Sequence, residues 1–231
     1  MRACLGSHVA RAGDDSLEDF FEAFPALLGR VATAVERKAF DRYADLLIHW
    51  NRTHHLTSLR TRAAVGRGLF LDSLLFRALM PAEANRVVDI GAGAGIPGVP
   101  LHIVNRELSL TLIESRRKPV SFLHALIREL DLKDIVVHHG RAEDLASELP
   151  ELMGKYDFVL ARSVGLTPRF MRSAMPYLRP GGQLLASGPP AGSPQPRPKW
   201  SGQCEWKTIR FAKIGLTRAF FVAAREVDFV V

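Results

Sequence analysis

Hydrophobic positions follow two different rhythms along this chain. In the first third they recur every three or four places. Within KAFDRYADLLIHWN, the residues Phe40, Tyr43, Leu47 and Trp50 fall on one side of a helix, and that spacing assigns them to a buried face rather than to an exposed stacking surface. SLEDFFEAF opens with Ser16 three residues before Asp19, a capping-box-like start for a short helix, and RGLFLDSLLFRALM reads as another helix that Pro81 stops. From Arg86 onward the rhythm changes to short apolar runs separated by amphipathic segments. RVVDI, LTLIE, IVVHH, YDFVLA and GQLLAS are predicted strands, with helices over KPVSFLHALIREL and PRFMRSAMPYL among them. Such alternation is what a parallel sheet with helical crossovers requires. EWKTIRFAKI and TRAFFVAAREV are two further strands, expected as a closing antiparallel pair.

These patterns divide the chain into an expected disordered start (1–15), a helical N-terminal extension (16–84) and an α/β domain (85–231). Within the last, SGPPAGSPQPRPK (187–199) is too rich in Pro and Gly for regular structure and is expected as an exposed loop. No internal repeat is present. The 231 residues suffice for a full core, and 47% hydrophobic with 24% charged residues exclude wholesale disorder. No apolar run approaches the roughly 18 residues of a spanning helix. Cys4 and Cys204 lie far apart at no metal-ligand spacing, which fits reduced thiols in a cytoplasmic protein. MRACLGSHVARAGDD has no continuous apolar core of the kind a secretory signal needs.

Charge adds one element. Lys and Arg number 31 against 24 acids, a formal net charge of +7, which favours a polyanionic partner held through phosphate contacts. Arg116, Arg117 and Lys118 in ESRRKP, and Arg60 and Arg62 in SLRTR, are candidate phosphate contacts. A solvated charged face is the alternative for both clusters.

The candidate chemistry centres on RVVDIGAGAGIPGVPLHIV. Gly91, Gly93, Gly95 and Gly98 directly follow a predicted strand, a placement that marks a sharp turn or a close backbone approach to a ligand. Gly93, Gly95 and Gly98 also fit G-x-G-x-x-G, the dinucleotide fingerprint. Asp89 speaks against a pyrophosphate, because it puts a carboxylate just before the glycines. An acid there suits a cationic ligand such as S-adenosylmethionine, with its sulfonium and ammonium groups; capping of the following turn is its alternative role. Glu114 ends the second strand, where a doubly wound sheet places an acid that can accept both ribose hydroxyls. Ala142 and Glu143, after the third strand, are placed to border an adenine.

LLIHWNRTHHLTSLR, LDSLL, VVDIGAGAGIPGVPLHIV, LTLIESRRKPVSFL, GRAED and YDFVLARSV together resemble the RsmG (GidB) family of bacterial small-subunit rRNA guanine-N7 methyltransferases. The resemblance implies a class I (Rossmann-like) S-adenosylmethionine-dependent methyltransferase fold: a mostly parallel seven-stranded sheet with helices on both faces, preceded by the helical extension. It also implies S-adenosyl-L-methionine as donor and a guanine in the 530 loop of 16S rRNA, free or in a small-subunit particle, as acceptor. The family's donor contacts fall on Gly91, Ile96, Ala142, Glu143 and Arg162; reading the residues themselves adds Asp89, Gly93, Gly95 and Glu114. Two departures concern the RNA side. The Arg-His pair that often precedes LDS is replaced by Gly68-Leu69, with Arg67 adjacent as a further RNA-contact candidate, and a lysine common after the fifth strand is absent around Ser187.

Guanine N7 carries a lone pair and no proton, so methyl transfer to it calls for alignment rather than a general base, and alignment can contribute roughly 7 to 11 kcal/mol. No His/Asp or Cys/His constellation is therefore expected. Arg162 is the candidate positioning residue, binding the donor carboxylate or guanine O6. His54-His55 and His138-His139 lack companions at metal-ligand spacing, so no metal is expected. The chain is expected to act as a cytoplasmic monomer without a membrane partner. A methyltransferase of small molecules or other RNAs and a dinucleotide-binding oxidoreductase are the rival readings.

Overall fold

The computed structural model describes residues 15–81, 83–163, 165–188, 195, 200 and 202–226. All of the expected disordered start but Asp15, and most of the expected Pro/Gly loop, lie outside these residues. The first helices are short: α1 (Glu18–Glu22) and α2 (Phe24–Leu28). Ser16 does not form the expected capping box; its hydroxyl accepts only the Glu18 N–H, at 3.4 Å. The long helix α3 (Ala34–His54) starts four residues before the predicted segment, because Thr33 and Glu36 cap each other reciprocally. Next, α4 (Arg62–Val65) runs through a π-helical turn (Gly66–Leu71) into α5 (Asp72–Leu74) and a 3-10 turn ending at Leu79. The predicted helix over 67–80 is thus a composite.

Seven strands follow the order β3-β2-β1-β4-β5-β7-β6. These are β1 (Arg86–Ile90), β2 (Ser109–Glu114), β3 (Ile135–His139), β4 (Tyr156–Ala161), β5 (Leu178–Ser187), β6 (Cys204–Phe211) and β7 (Leu216–Ala224). The first five pair in parallel, and β7 inserts antiparallel between β5 and β6. Connecting helices are α6 (Gly98–Val104), α7 (Arg117–Glu129), α8 (Ala142–Glu148) and α9 (Pro168–Ala174).

Strand alternation sorts the core into two layers. Val87 of β1 packs with α3, α6 and α7, whereas Val88 and Ile90 pack with α8 and α9. Phe40, Tyr43 and Leu47 are fully buried, as their spacing predicts, and Trp50 is partly buried against the same core. Phe20, Phe40 and Phe70 form an aromatic cluster with centroids 4.8 to 5.7 Å apart. Tyr43 extends it at 4.9 Å from Phe70. The N-terminal helices therefore share one apolar core with the sheet, which fixes α3 over the loop that follows β1.

Candidate functional site

Strands β2 and β4 flank β1, the point where the strand order reverses and where doubly wound sheets bind ligands at their carboxyl ends. A cleft of about 450 Å³ opens there, within the range of small-molecule sites. It is lined by Gly91, Ala92, Gly93, Ala94 and Ile96 after β1, by Glu114 and Arg116 at the end of β2, by Arg162 and Ser163 after β4, and by Leu56, Thr57 and Leu69 from the N-terminal helices. Of the expected donor-site residues, Gly91, Gly93, Ile96, Glu114 and Arg162 meet in this cleft. Asp89, Gly95, Ala142 and Glu143 do not line it.

Asp89 is fully buried beneath the loop. Its Oδ2 accepts the Gly98 N–H at 2.8 Å, and Oδ1 has no partner. The positive end of α6 is thus answered by the protein's own carboxylate, the turn-capping alternative of the sequence. Gly98 is needed for this approach, since a Cβ there would sit 3.0 Å from Asp89 Oδ2 and 3.0 Å from Leu110. Burial pushes the Asp89 pKa up to about 7, with the Gly98 hydrogen bond opposing, Glu114 adding to the rise and Arg162 lowering it.

Glu114 is 4% exposed and stitches the same loop from the other side. Its Oε2 accepts the Gly93 N–H at 2.9 Å, and its Oε1 accepts the Arg116 N–H at 2.9 Å and the Arg116 side chain at 3.3 Å. Each carboxylate oxygen has more than one acceptor site, so Glu114 keeps capacity for a ligand. Gly95 has a different duty. It holds φ +85°, and a Cβ would press on Val99, the Tyr43 hydroxyl and Leu123 at 2.8 to 3.1 Å; it lets α3 and α7 close under the loop. Tyr43 is buried and donates its hydroxyl hydrogen to the Ala94 carbonyl.

Arg162 is held by two residues to which the sequence assigned no contact with it. Its Nε donates to Asp72 Oδ2 at 2.9 Å and its Nη2 to the Gly68 carbonyl at 2.8 Å. Asp72, 5% exposed, also accepts from Arg218 on β7. The pairing of an N-terminal acid with one arginine just after β4 and another on β7 is legible only in three dimensions. Gly68 also lies under Leu59, whose side chain would be 2.8 Å from a Cβ at that position. Asn51, buried, donates to the Leu59 carbonyl at 3.1 Å and accepts the Thr57 N–H at 3.0 Å. That pair shapes the loop that carries Leu56 and Thr57 to the cleft.

Ala142 and Glu143 lie outside the cleft for identifiable reasons. Ala142 is buried at the start of α8, its carbonyl accepting from the Tyr177 hydroxyl at 2.8 Å. Glu143 pairs with Arg169 at 2.7 Å. Of the RNA-contact candidates, Arg60, Arg67, Arg116, Arg117 and Lys118 are exposed. Arg62 is not: both its terminal nitrogens pair with Asp41 and Asp45 of α3, so its charge is already answered within the chain. Arg67 lies 3.4 Å from Asp19. Among the described residues no group of three metal-ligating side chains gathers. No helix among them is long and apolar enough to cross a membrane.

The sheet order, the glycine loop after β1 and the acid ending β2 define a class I, Rossmann-like methyltransferase fold. The O-methyltransferase TomG from Streptomyces achromogenes, solved in complex with SAM, shares that fold at a TM-score of 0.53 and 18% identity, over 90% of this chain and 96% of TomG. The [4+2]-cyclase SpnF superposes with a TM-score of 0.53 at 15% identity, over 86% of this chain and 98% of that one, so the fold alone does not fix the reaction. The family model for GidB, rRNA small subunit methyltransferase G, matches residues 36–188, and the chain belongs to this family. Ribosomal RNA small subunit methyltransferase G of Streptococcus pneumoniae (TIGR4) is 40% identical over 153 residues, 65% of this chain and 64% of that protein. The protein of the same name from Streptococcus equi subsp. zooepidemicus (H70) is 37% identical over 160 residues, 68% of this chain and 67% of its own length.

Proposed function

We propose that this chain is an S-adenosylmethionine-dependent methyltransferase that methylates N7 of a guanine in the 530 loop of 16S rRNA, acting in the cytoplasm on free rRNA or a small-subunit particle. The observation that carries the donor half of this reading is the internal use of the loop's N–H groups. Gly93 and Gly98, two of the three fingerprint glycines, donate to Glu114 and Asp89. A pyrophosphate would find those donors taken and two acids beside them, so the dinucleotide reading loses its anion receptor. A ligand with a ribose diol and positive charges is favoured by the same arrangement.

Glu114 is the residue that would accept the ribose hydroxyls, with Gly91, Gly93 and Ile96 forming the adjoining wall and Arg162 available to a carboxylate. When bound, the donor supplies an electrophilic methyl group on a sulfonium. The chain's own residues then orient and exclude water; none has to remove a proton, because N7 attacks with its lone pair. The family supports the acceptor half, since its members are named for the small-subunit rRNA.

Isothermal titration with S-adenosylmethionine and with NADH tests the donor half. Binding of S-adenosylmethionine and not of NADH is expected; the reverse preference would overturn the methyltransferase reading.

A further inference from the structure

The two sides of the cleft differ in hydrogen-bonding character. On the β2 side stands Glu114, an acceptor. On the β4 side, across β1 in the strand order, stand Arg162 and Ser163, with Leu69 beside Gly68, whose carbonyl Arg162 holds. Among the described residues no carboxylate or amide side chain lines this second side. The Arg162 guanidinium can only donate, and it is locked in place through Nε and Nη2, leaving Nη1 without a partner among the described residues.

Ser163 is the unusual member. It holds φ +57°, one of four non-glycine residues with positive φ among those described, a conformation that costs free energy in a serine and that tends to persist where a site requires it. Its exposed hydroxyl makes no hydrogen bond among the described residues, whereas the neighbouring Arg162 is held through two of its nitrogens. Strain without an internal partner, in a residue that lines a cleft, is what a ligand-reading side chain would show.

Resting on the methyl-transfer reading above, we propose that Ser163 positions the acceptor guanine, donating its hydroxyl hydrogen to O6 and leaving N7 free to attack. Guanine presents two acceptors on this edge, N7 and O6, whereas adenine replaces O6 by an amine that donates. The Ser163 hydroxyl, which can both donate and accept, donates to that oxygen, and the donor-only guanidinium next to it is matched to the same oxygen and mismatched to the amine. A donor bonded to N7 would occupy the attacking lone pair, so O6 is the atom that a reading group can use without blocking the reaction.

The test compares single-turnover methyl transfer to a 16S rRNA fragment spanning the 530 loop with transfer to the same fragment carrying 2-aminopurine, which keeps N7 and lacks O6, at the target position. The parent protein is expected to be slower on the analogue by about tenfold. Ser163→Gly removes the hydroxyl and relieves the backbone strain together, so it tests the contact without endangering the fold. It is expected to lose about tenfold on guanine and to treat the two RNAs alike within about twofold, with S-adenosylmethionine affinity unchanged. Ser163→Asn, which keeps a donor on a side chain that tolerates positive φ, should retain the analogue penalty. The proposal is overturned if Ser163→Gly keeps the parent's penalty or if Ser163→Asn loses it as fully as glycine does. Failure of the parent to bind S-adenosylmethionine or to methylate the guanine RNA would instead overturn the methyltransferase reading itself.

Discussion

The hydroxyl of Tyr43, on the N-terminal helix α3, donates to the carbonyl of Ala94 in the middle of the glycine loop, 51 residues away and fully out of solvent. The N-terminal helices therefore brace the floor of the cleft directly. Tyr43→Phe keeps the ring packing against Phe70 and strands a buried carbonyl, so a loss of about 1 to 3 kcal/mol is expected. Urea unfolding measures it. Titration with S-adenosylmethionine should show weaker binding as well, because the loop is held less firmly; a variant equal to the parent in both would detach α3 from the site.

Asp89 gives the fold a pH dependence of predictable sign. Its folded pKa is raised to about 7 by burial, among Tyr43 from α3, Glu114 from β2 and Arg162 after β4, while the unfolded carboxylate ionises near pH 4. The folded chain holds the extra proton between those values. The associated stability is complete below the unfolded pKa and is lost as pH rises from about 4 to about 7, at most about 4 kcal/mol. Asp89→Asn keeps an acceptor for Gly98 and cannot ionise. Its stability relative to the parent should rise between pH 5 and pH 8, and a difference independent of pH would contradict the assignment.

Glu114 serves the loop and the proposed ribose contact together, so its two roles must be separated by the choice of variant. Glu114→Gln retains an oxygen for the Gly93 N–H and removes the charge. Donor affinity should fall by on the order of 1.5 to 3 kcal/mol, and because the amide nitrogen then faces the Arg116 N–H in place of Oε1, melting temperature should fall too, though less than in Glu114→Ala. Glu114→Ala also frees the N–H groups of Gly93 and Arg116 and should lose stability besides. Unchanged donor affinity in Glu114→Gln would remove this residue from the binding site.

The basic residues separate into two groups with different expected responses to salt. Arg117 and Lys118 are exposed and have no ion-pair partner among the described residues. Reversing both to glutamate should weaken rRNA-fragment binding and lower the slope of log affinity against log salt by about 1.4 to 1.8. Arg62→Glu should instead destabilise the protein, facing Asp41 and Asp45, and leave that slope unchanged. Equal slopes in the parent and the Arg117/Lys118 double variant would return these residues to a solvated face.

The sequence made the sheet legible because each strand is a short apolar run bounded by polar residues, and RVVDI, IVVHH and YDFVLA match β1, β3 and β4 end to end. It was less clear where local and tertiary signals compete. The capping signature TAVE at Thr33–Glu36 marks the true start of α3, but the apolar stripe begins only later. Gly66 and Gly68 loosen the next helix into a π-turn, which no periodicity announces. In the site, spacing located the glycine loop and Glu114. It could not tell an acid that lines the cleft from one buried against a helix end, which is the difference between Glu114 and Asp89. Asp72, Arg218 and Ser163 stayed hidden because their roles arise from chain segments that meet only after folding.

The central claim is the transfer of a methyl group to N7 of one guanine. Mapping modified nucleosides in small-subunit rRNA by mass spectrometry, from cells with and without this gene, tests it most directly. A single 7-methylguanosine in the 530 loop is expected to disappear with the gene and return with its expression. An unchanged modification pattern, or a methyl group gained at another atom or another base, would contradict it.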